Sequence, residues 1–157
     1  TPPRFQLFTW KRVYNMAIGE QMSERIKIEI GSASPFPNDN EPAMEVRGRD
    51  IISGLPRRTN VTAGEIREAL QEPVTSIVDA ITRTLEAAEA ELAADLVENG
   101  ITMAGGSSML RGLSTVISNA TGLDVRLAED PLTCVARGGG RILELMDELG
   151  PGHFGLE

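Results

Sequence analysis

The sequence predicts an α/β protein made of two parts with different rhythms. From about Glu91 onward, helical and strand-like apolar patterns alternate, the order expected of helices packed on a parallel sheet. Before that come one helix, a short hairpin of alternating residues and a long amphipathic stretch, which suits a small α+β unit. The chain has 157 residues, 41% apolar and 24% charged, which is the composition of a folded protein with a core. Two such parts suggest a cleft between them.

The opening TPPRFQLFTW has two prolines and clustered aromatics without periodicity, so no element is assigned to it. From Met16 the pattern turns helical: Ile18, Met22, Ile26 and Ile30 recur every four residues, and Gly31 is a natural stop. Residues 32–42, SASPFPNDNEP, are a loop by composition. Met44 and Val46 alternate with Glu45 and Arg47 as in a half-buried strand. Gly48 to Asp50 are expected to turn the chain, with Ile51 and Ile52 starting a return that Gly54 and Pro56 interrupt and RRTNV resumes.

Thr62 and Glu65 form a capping box, in which each residue satisfies an orphan N–H of the other's segment. The helix they start carries Ile66, Leu70, Val74, Ile77, Val78, Ile81 and Leu85 on one stripe. Pro73 should kink it or mark a junction, because proline removes a helical N–H. The pattern is too long for one ordinary helix, so a break is expected near Ala87 to Glu91, with a second helix ending at Asn99-Gly100.

A short strand, Ile101 to Ala104, runs into Gly105-Gly106, and a helix is expected from about Ser107 to Ala120. A glycine turn feeding a helix N-terminus allows backbone N–H groups to approach a ligand, but it also serves any tight strand-to-helix turn. LDVRLA is the next strand candidate. Asp130 is placed as the cap of a final helix with Pro131 in its first turn. That helix runs through Val135, Ile142 and Met146. Gly138, Gly139 and Gly140 lower its propensity, which suggests a close approach to its backbone. GPGHFGLE reads as a frayed tail.

Net charge is −8 and the isoelectric point about 4.7, without a dense basic face, which argues against a nucleic-acid partner. Lys11-Arg12 and Arg57-Arg58 are isolated doublets read as solvated. Cys134 is the single cysteine, so it forms no internal disulfide and is expected to pack as a small apolar residue in a reducing compartment. His153, the single histidine, sits in the tail. No window approaches a membrane span, and the lack of an initiator Met or signal pattern fits a cytoplasmic fragment. Neither a catalytic nor a metal-binding constellation can be assembled.

Five segments, however, carry a resemblance: IGEQMSERIKIEIGSA (18–33), MEVRGRDIISGLP (44–56), IREALQEPVTSIV (66–78), ELAADLVENGITMAGGSSMLRGL (91–113) and GLDVRLAEDPLTCVA (122–136). Their order and spacing resemble the MreB family of bacterial actin homologues, which determine rod shape. The resemblance implies part of an actin-like ATPase fold of the ribonuclease H-like class. A small outer α+β subdomain would span 16–90 and the last part of the inner α/β subdomain 91–147. Residues 1–15 are unmatched and 148–157 are expected to be a flexible tail.

The family binds Mg-ATP between two halves and polymerises on the inner membrane face. There it guides cell-wall synthesis with membrane-bound elongation proteins, which implies a cytoplasmic, membrane-associated location. Adenosine would lie between a helix of the outer subdomain and the glycine turn of the inner one. On this chain that implies Glu24, Arg25, Ile26 and Lys27 on one side, and Gly105, Gly106, Ser107 and Ser108 on the other. Glu24 would accept ribose hydroxyls and the Lys27 stem would cover the adenine. Ser107 stands where the family usually has a third glycine, and its hydroxyl is expected to cap the following helix.

The family's phosphate loops, Mg²⁺-associated carboxylates and membrane-inserting element belong to sequence upstream of these segments. This stretch is therefore expected to supply the adenosine side without hydrolysing ATP by itself. A chaperone-type ATPase of the same superfold is the alternative, and an unrelated α/β metabolic enzyme a third.

Overall fold

A computed structural model describes residues 14–37 and 40–149. The opening segment with Lys11-Arg12, and the tail with His153, lie outside the described residues.

The first sheet has three antiparallel strands in the order β1 (Met16–Ala17), β2 (Ala43–Asp50), β3 (Pro56–Thr62). β1 pairs Met16 with Asp50, and the β2–β3 ladder runs from Ala43↔Thr62 to Arg49↔Pro56. The expected helix from Met16 is corrected here: α1 spans Glu20–Ile30. A four-residue repeat is also a multiple of two, so Met16 and Ile18 fit a strand face equally well, and both are buried.

Gly48 is likewise not a turn residue. It lies inside β2, where a Cβ would come within 2.5 Å of the Ala17 carbonyl oxygen and 2.9 Å of Met16 Cγ. Close approach of β1, not turn geometry, requires glycine there. The turn falls one step later. The Asp50 carboxylate accepts the N–H groups of Ile52 at 3.0 Å and Ser53 at 2.8 Å, and Gly54 takes φ +74°.

The capping box forms as expected: Glu65 N–H donates to Thr62 Oγ1 and Thr62 N–H donates to the Glu65 carboxylate. The backbone bond from Thr62 holds the Glu65 carboxyl below its ordinary range. Next to it, burial first and the Glu65 carboxylate second push the Tyr14 hydroxyl well above the usual phenol range.

α2 then runs unbroken through Pro73 from Ala63 to Glu86, so proline marks no junction. Leu70 and Val74, on either side of the proline, are both buried, and packing of this stripe outweighs the missing hydrogen bond. The break comes where expected, and α3 occupies Ala90–Asn99, closed by Gly100 at φ +68°.

The second sheet pairs β4 (Ile101–Met103) in parallel with β5 (Val125–Leu127). Between them the single expected helix is divided. Gly106–Met109 form a 3₁₀ turn, and α4 begins only at Leu113, behind Gly112 in the left-handed conformation, and ends at Thr121. The last helix, α5, spans Cys134–Leu149 and starts later than expected. Asp130 adopts φ +50° and accepts the Thr133 hydroxyl instead of capping a helix that begins with Pro131. Gly138 to Gly140 do not interrupt α5, and apart from sequence neighbours and the helix's own backbone no atom of the described chain lies within 4 Å of a Cβ built on any of them. Val135, Ile142 and Leu143 on the same helix are exposed.

One core joins the two parts. Val46 and Val61 of the first sheet, Ile26 and Ile30 of α1, Ile66 and Leu70 of α2, and Leu113 and Ile117 of α4 belong to a single buried cluster. Complete burial of such aliphatic side chains contributes about 1.5–3 kcal/mol each before entropy is counted. The packing therefore fixes α1 and the β4–α4 segment relative to one another.

Candidate functional site

The E-x-x-K pair lies on the partly exposed side of α1. Lys27 Nζ donates to the Glu24 carboxylate at 2.7 Å, with side chains 21% and 44% exposed. A pair this exposed stabilises the helix by only about 0.3–0.5 kcal/mol, so it adds little to the fold. The Glu24 carboxylate keeps lone pairs for further donors. Arg25 is turned to a different partner, Glu29 at 2.6 Å. Ile26 is 2% exposed and anchors α1 in the core; it sets where Glu24 and Lys27 stand without presenting its own side chain.

Gly105 has φ +86°, and a Cβ built there would meet nothing within 4 Å, so the backbone borders open space. Its N–H donates to Pro131 O at 2.7 Å, tying the turn to the segment after β5. Gly106 has only Leu132 Cδ2 nearby, at 3.3 Å. The serines divide their tasks differently from the expectation. Ser108, not Ser107, closes the turn: its hydroxyl donates to Gly105 O at 2.6 Å and the residue is buried. Ser107 is exposed, and α4 takes its N-cap at Gly112, where no side-chain bond is made. The 3₁₀ turn inserted before α4 has moved that cap out of reach of Ser107.

The segments that follow the two halves of the predicted set are joined by residues that sequence reasoning missed. Gly31 closes α1, and Ser32, fully buried, forms a parallel bridge to Arg111 just beyond the 3₁₀ turn. Ala33 N–H donates to Arg111 O at 2.8 Å, and Ser32 Oγ donates to Ser34 O at 2.6 Å. The Arg111 guanidinium lies 5.0 Å from the Phe36 ring centroid, a cation–π contact that holds the loop after α1. The loop just after α1, at Ser32 five residues beyond Lys27, is thus stitched to Arg111 three residues beyond Ser108. The available signal was the run of small residues after the helix stop, GSAS, and the LRGL after the turn.

A groove of about 550 Å³ opens beside this junction, lined by Ala33, Arg67, Glu68, Gln71, Val74 and Val116. It includes none of the predicted nucleotide residues. Among the described residues, no group of three or more His, Cys, Asp or Glu side chains could hold a metal ion. No helix among them is long and apolar enough to cross a membrane.

Comparison with known proteins adds to this geometry. A family model described as MreB/Mbl protein matches residues 7–151, so the match begins inside the opening segment expected to be unmatched and runs past 147. The cell shape-determining protein MreB of Escherichia coli strain K12 is 48% identical over 147 residues, covering 94% of this chain and 42% of that protein. The crystal structure of MreB5 of Spiroplasma citri bound to ADP superposes with a TM-score of 0.84 at 33% identity, covering 91% of this chain and 43% of that one. A MamK non-polymerising mutant bound to AMPPNP superposes with a TM-score of 0.64 at 22% identity, a likeness of fold alone. The chain spans about two fifths of the length of the curated relatives it matches.

Proposed function

The chain belongs to the MreB/Mbl protein family, and we propose that it forms the adenosine-binding side of an ATP-dependent, filament-forming cytoskeletal protein that governs cell shape. The fold is part of an actin-like fold. Family membership sets aside the chaperone-type alternative and the unrelated enzyme.

The observation that carries the reading is the Ser32–Arg111 junction, which ties the helix of Glu24 and Lys27 to the segment following the glycine turn. The donor set fits a nucleoside. The Glu24 carboxylate is an acceptor for vicinal ribose hydroxyls, and the Lys27 stem offers an apolar strip with its ammonium in water. The open space at Gly105 admits a base against bare backbone. The relatives support the same ligand class, since the Spiroplasma citri MreB5 structures are bound to ADP and to AMPPNP.

When bound, ATP supplies the phosphoryl group whose transfer requires a metal, a phosphate cradle and a positioned water. The residues of this chain bind and orient the nucleoside. Outer-subdomain and inner-subdomain boundaries at 16–90 and 91–147 go with this reading. So do self-association into filaments, cytoplasmic placement, and contact with the membrane and with membrane-bound elongation proteins through elements outside this chain.

Full-length protein carrying this chain is expected to sediment as polymer with ATP or AMPPNP and to be mostly soluble without nucleotide. Absence of polymer in every nucleotide state would contradict the filament reading.

A further inference from the structure

Leu132 stands in the turn between β5 and α5, and it is 64% exposed. A single exposed leucine is ordinary on a protein surface. The place of this one is not. Apart from sequence neighbours and the turn's own backbone, its Cδ2 is the only atom of the described chain within 4 Å of where a Gly106 Cβ would stand, at 3.3 Å. Beside it, the space over Gly105 is open. Leu132 is therefore the side chain at the rim of the gap that the glycine turn leaves.

The segment that carries it is held from several directions. Ala128 N–H donates to Met103 O at 2.9 Å, at the end of the β4–β5 ladder, and Gly105 N–H donates to Pro131 O at 2.7 Å. The Thr133 and Cys134 N–H groups donate to Asp130 O at 3.1 and 3.0 Å, and Arg137 Nη2 donates to Glu129 O at 3.2 Å. Asp130 takes φ +50°, which is uncommon outside glycine, and residues held in such conformations gather at ligand sites. A leucine on a loose loop would move out of a ligand's way. This one is presented by a turn tied to the glycine backbone next to it.

The polar groups around Leu132 are occupied within the chain. Pro131 O accepts from Gly105, the Asp130 carboxylate accepts the Thr133 hydroxyl, and Ser108 Oγ donates to Gly105 O at 2.6 Å. What the Leu132 side of the gap offers a ligand is apolar surface. That suits the ring of a base. It does not suit phosphate or ribose, whose oxygens would lose water there without gaining a partner.

We propose that Leu132 covers the base of the bound nucleotide from the glycine-turn side, contributing affinity by packing against the ring and excluding water from it. The proposal rests on the adenosine reading and adds to it a residue from a third segment of the chain, after β5. The Lys27 stem and Leu132 would then bound the base from α1 and from the turn.

The test is nucleotide titration of full-length protein carrying Leu132→Ala or Leu132→Met. Leu132→Ala is expected to weaken ATP and ADP by the same factor, about threefold to tenfold, which is the worth of one to two buried methylenes. Leu132→Met keeps the apolar volume and should bind nearly as the unaltered protein does. The preference between ATP and ADP should not move, since this wall touches no phosphate. Urea midpoints should match in all three, which separates a ligand contact from a packing role in the complete protein. A Leu132→Trp chain supplies a readout at the base itself: etheno-ADP should be quenched by the indole when bound, or excluded where the indole fills the gap. Undiminished binding by Leu132→Ala overturns the proposal, as does a loss that Leu132→Met shares in full. So does a lowered urea midpoint in Leu132→Ala, or etheno-ADP bound unquenched to Leu132→Trp. Glu24→Ala in the same titrations keeps the two readings apart. Weakened binding there alone removes Leu132 and leaves the adenosine reading, whereas unchanged binding in both variants removes the adenosine reading as well.

Discussion

Replacing Gly112 with valine is expected to destabilise full-length protein by about 3 kcal/mol or more. Gly112 has φ +73°, and a β-branched residue held there costs about 1–3 kcal/mol in backbone strain alone. A Cβ would also come within 2.8 Å of Ser34 Cβ, and closer still to its hydroxyl, in the loop that Arg111 holds against α1. Overpacking of this kind adds about 1–3 kcal/mol. The urea midpoint should fall with little change in slope, and ATP affinity should fall with it, since the α1–turn junction is what the new side chain displaces. Gly122→Ala provides the control. Its φ is +71°, but nothing lies within 4 Å, so it should cost only about 1–2 kcal/mol. Equal midpoints for the two variants would show that the junction is not packed as described.

Glu24→Ala is expected to weaken ATP and ADP binding by full-length protein about tenfold to a hundredfold. A hydrogen bond to a charged group contributes about 1.5–3 kcal/mol, and each 1.4 kcal/mol is a factor of ten. Lys27→Ala should weaken binding less, because its contribution is coverage of an apolar ring face rather than paired hydrogen bonds. Folding stability should change by under about 1 kcal/mol in either case, since the Glu24–Lys27 pair is half in water. Arg25→Ala, whose guanidinium engages Glu29, should bind like the unaltered protein. The readout is nucleotide titration by calorimetry or fluorescence. Wild-type affinity in Glu24→Ala would remove the carboxylate from the site.

Much of the fold was legible from local chemistry. The capping box at Thr62 and Glu65, the glycine stops at Gly31 and Gly100, and the alternation of Met44 and Val46 all follow from interactions within a few residues, which sequence spacing records directly. The errors came where a distant segment decided the outcome. Gly48 looked like a turn because glycine is permissive, but β1 lying against it supplied the reason. Met16 and Ile18 joined a helical repeat until pairing with β2 claimed the first of them. Of the two outcomes expected at Pro73, a kink or a junction, the junction does not occur, because buried Leu70 and Val74 on either side carry the helix through.

The candidate site divides in the same way. The E-x-x-K pair could be read because helical periodicity puts both residues on one face, and the glycine turn because of its position between strand and helix. Ser32, Arg111 and Gly112 were not legible: their importance lies in a bridge between residues 79 positions apart, and the GSAS and LRGL runs at its two ends do not say that they pair. The exchange of roles between Ser107 and Ser108 depended on the 3₁₀ turn, whose one-residue tightening no side-chain pattern signals.

The most direct measurement is a crystal structure of full-length protein with ADP. It should place a ribose hydroxyl within about 2.5–3.0 Å of the Glu24 carboxylate, with the nucleoside against the Gly105–Gly106 backbone. A nucleoside bound away from α1, with Glu24 and Lys27 still paired only to each other, would contradict the assignment.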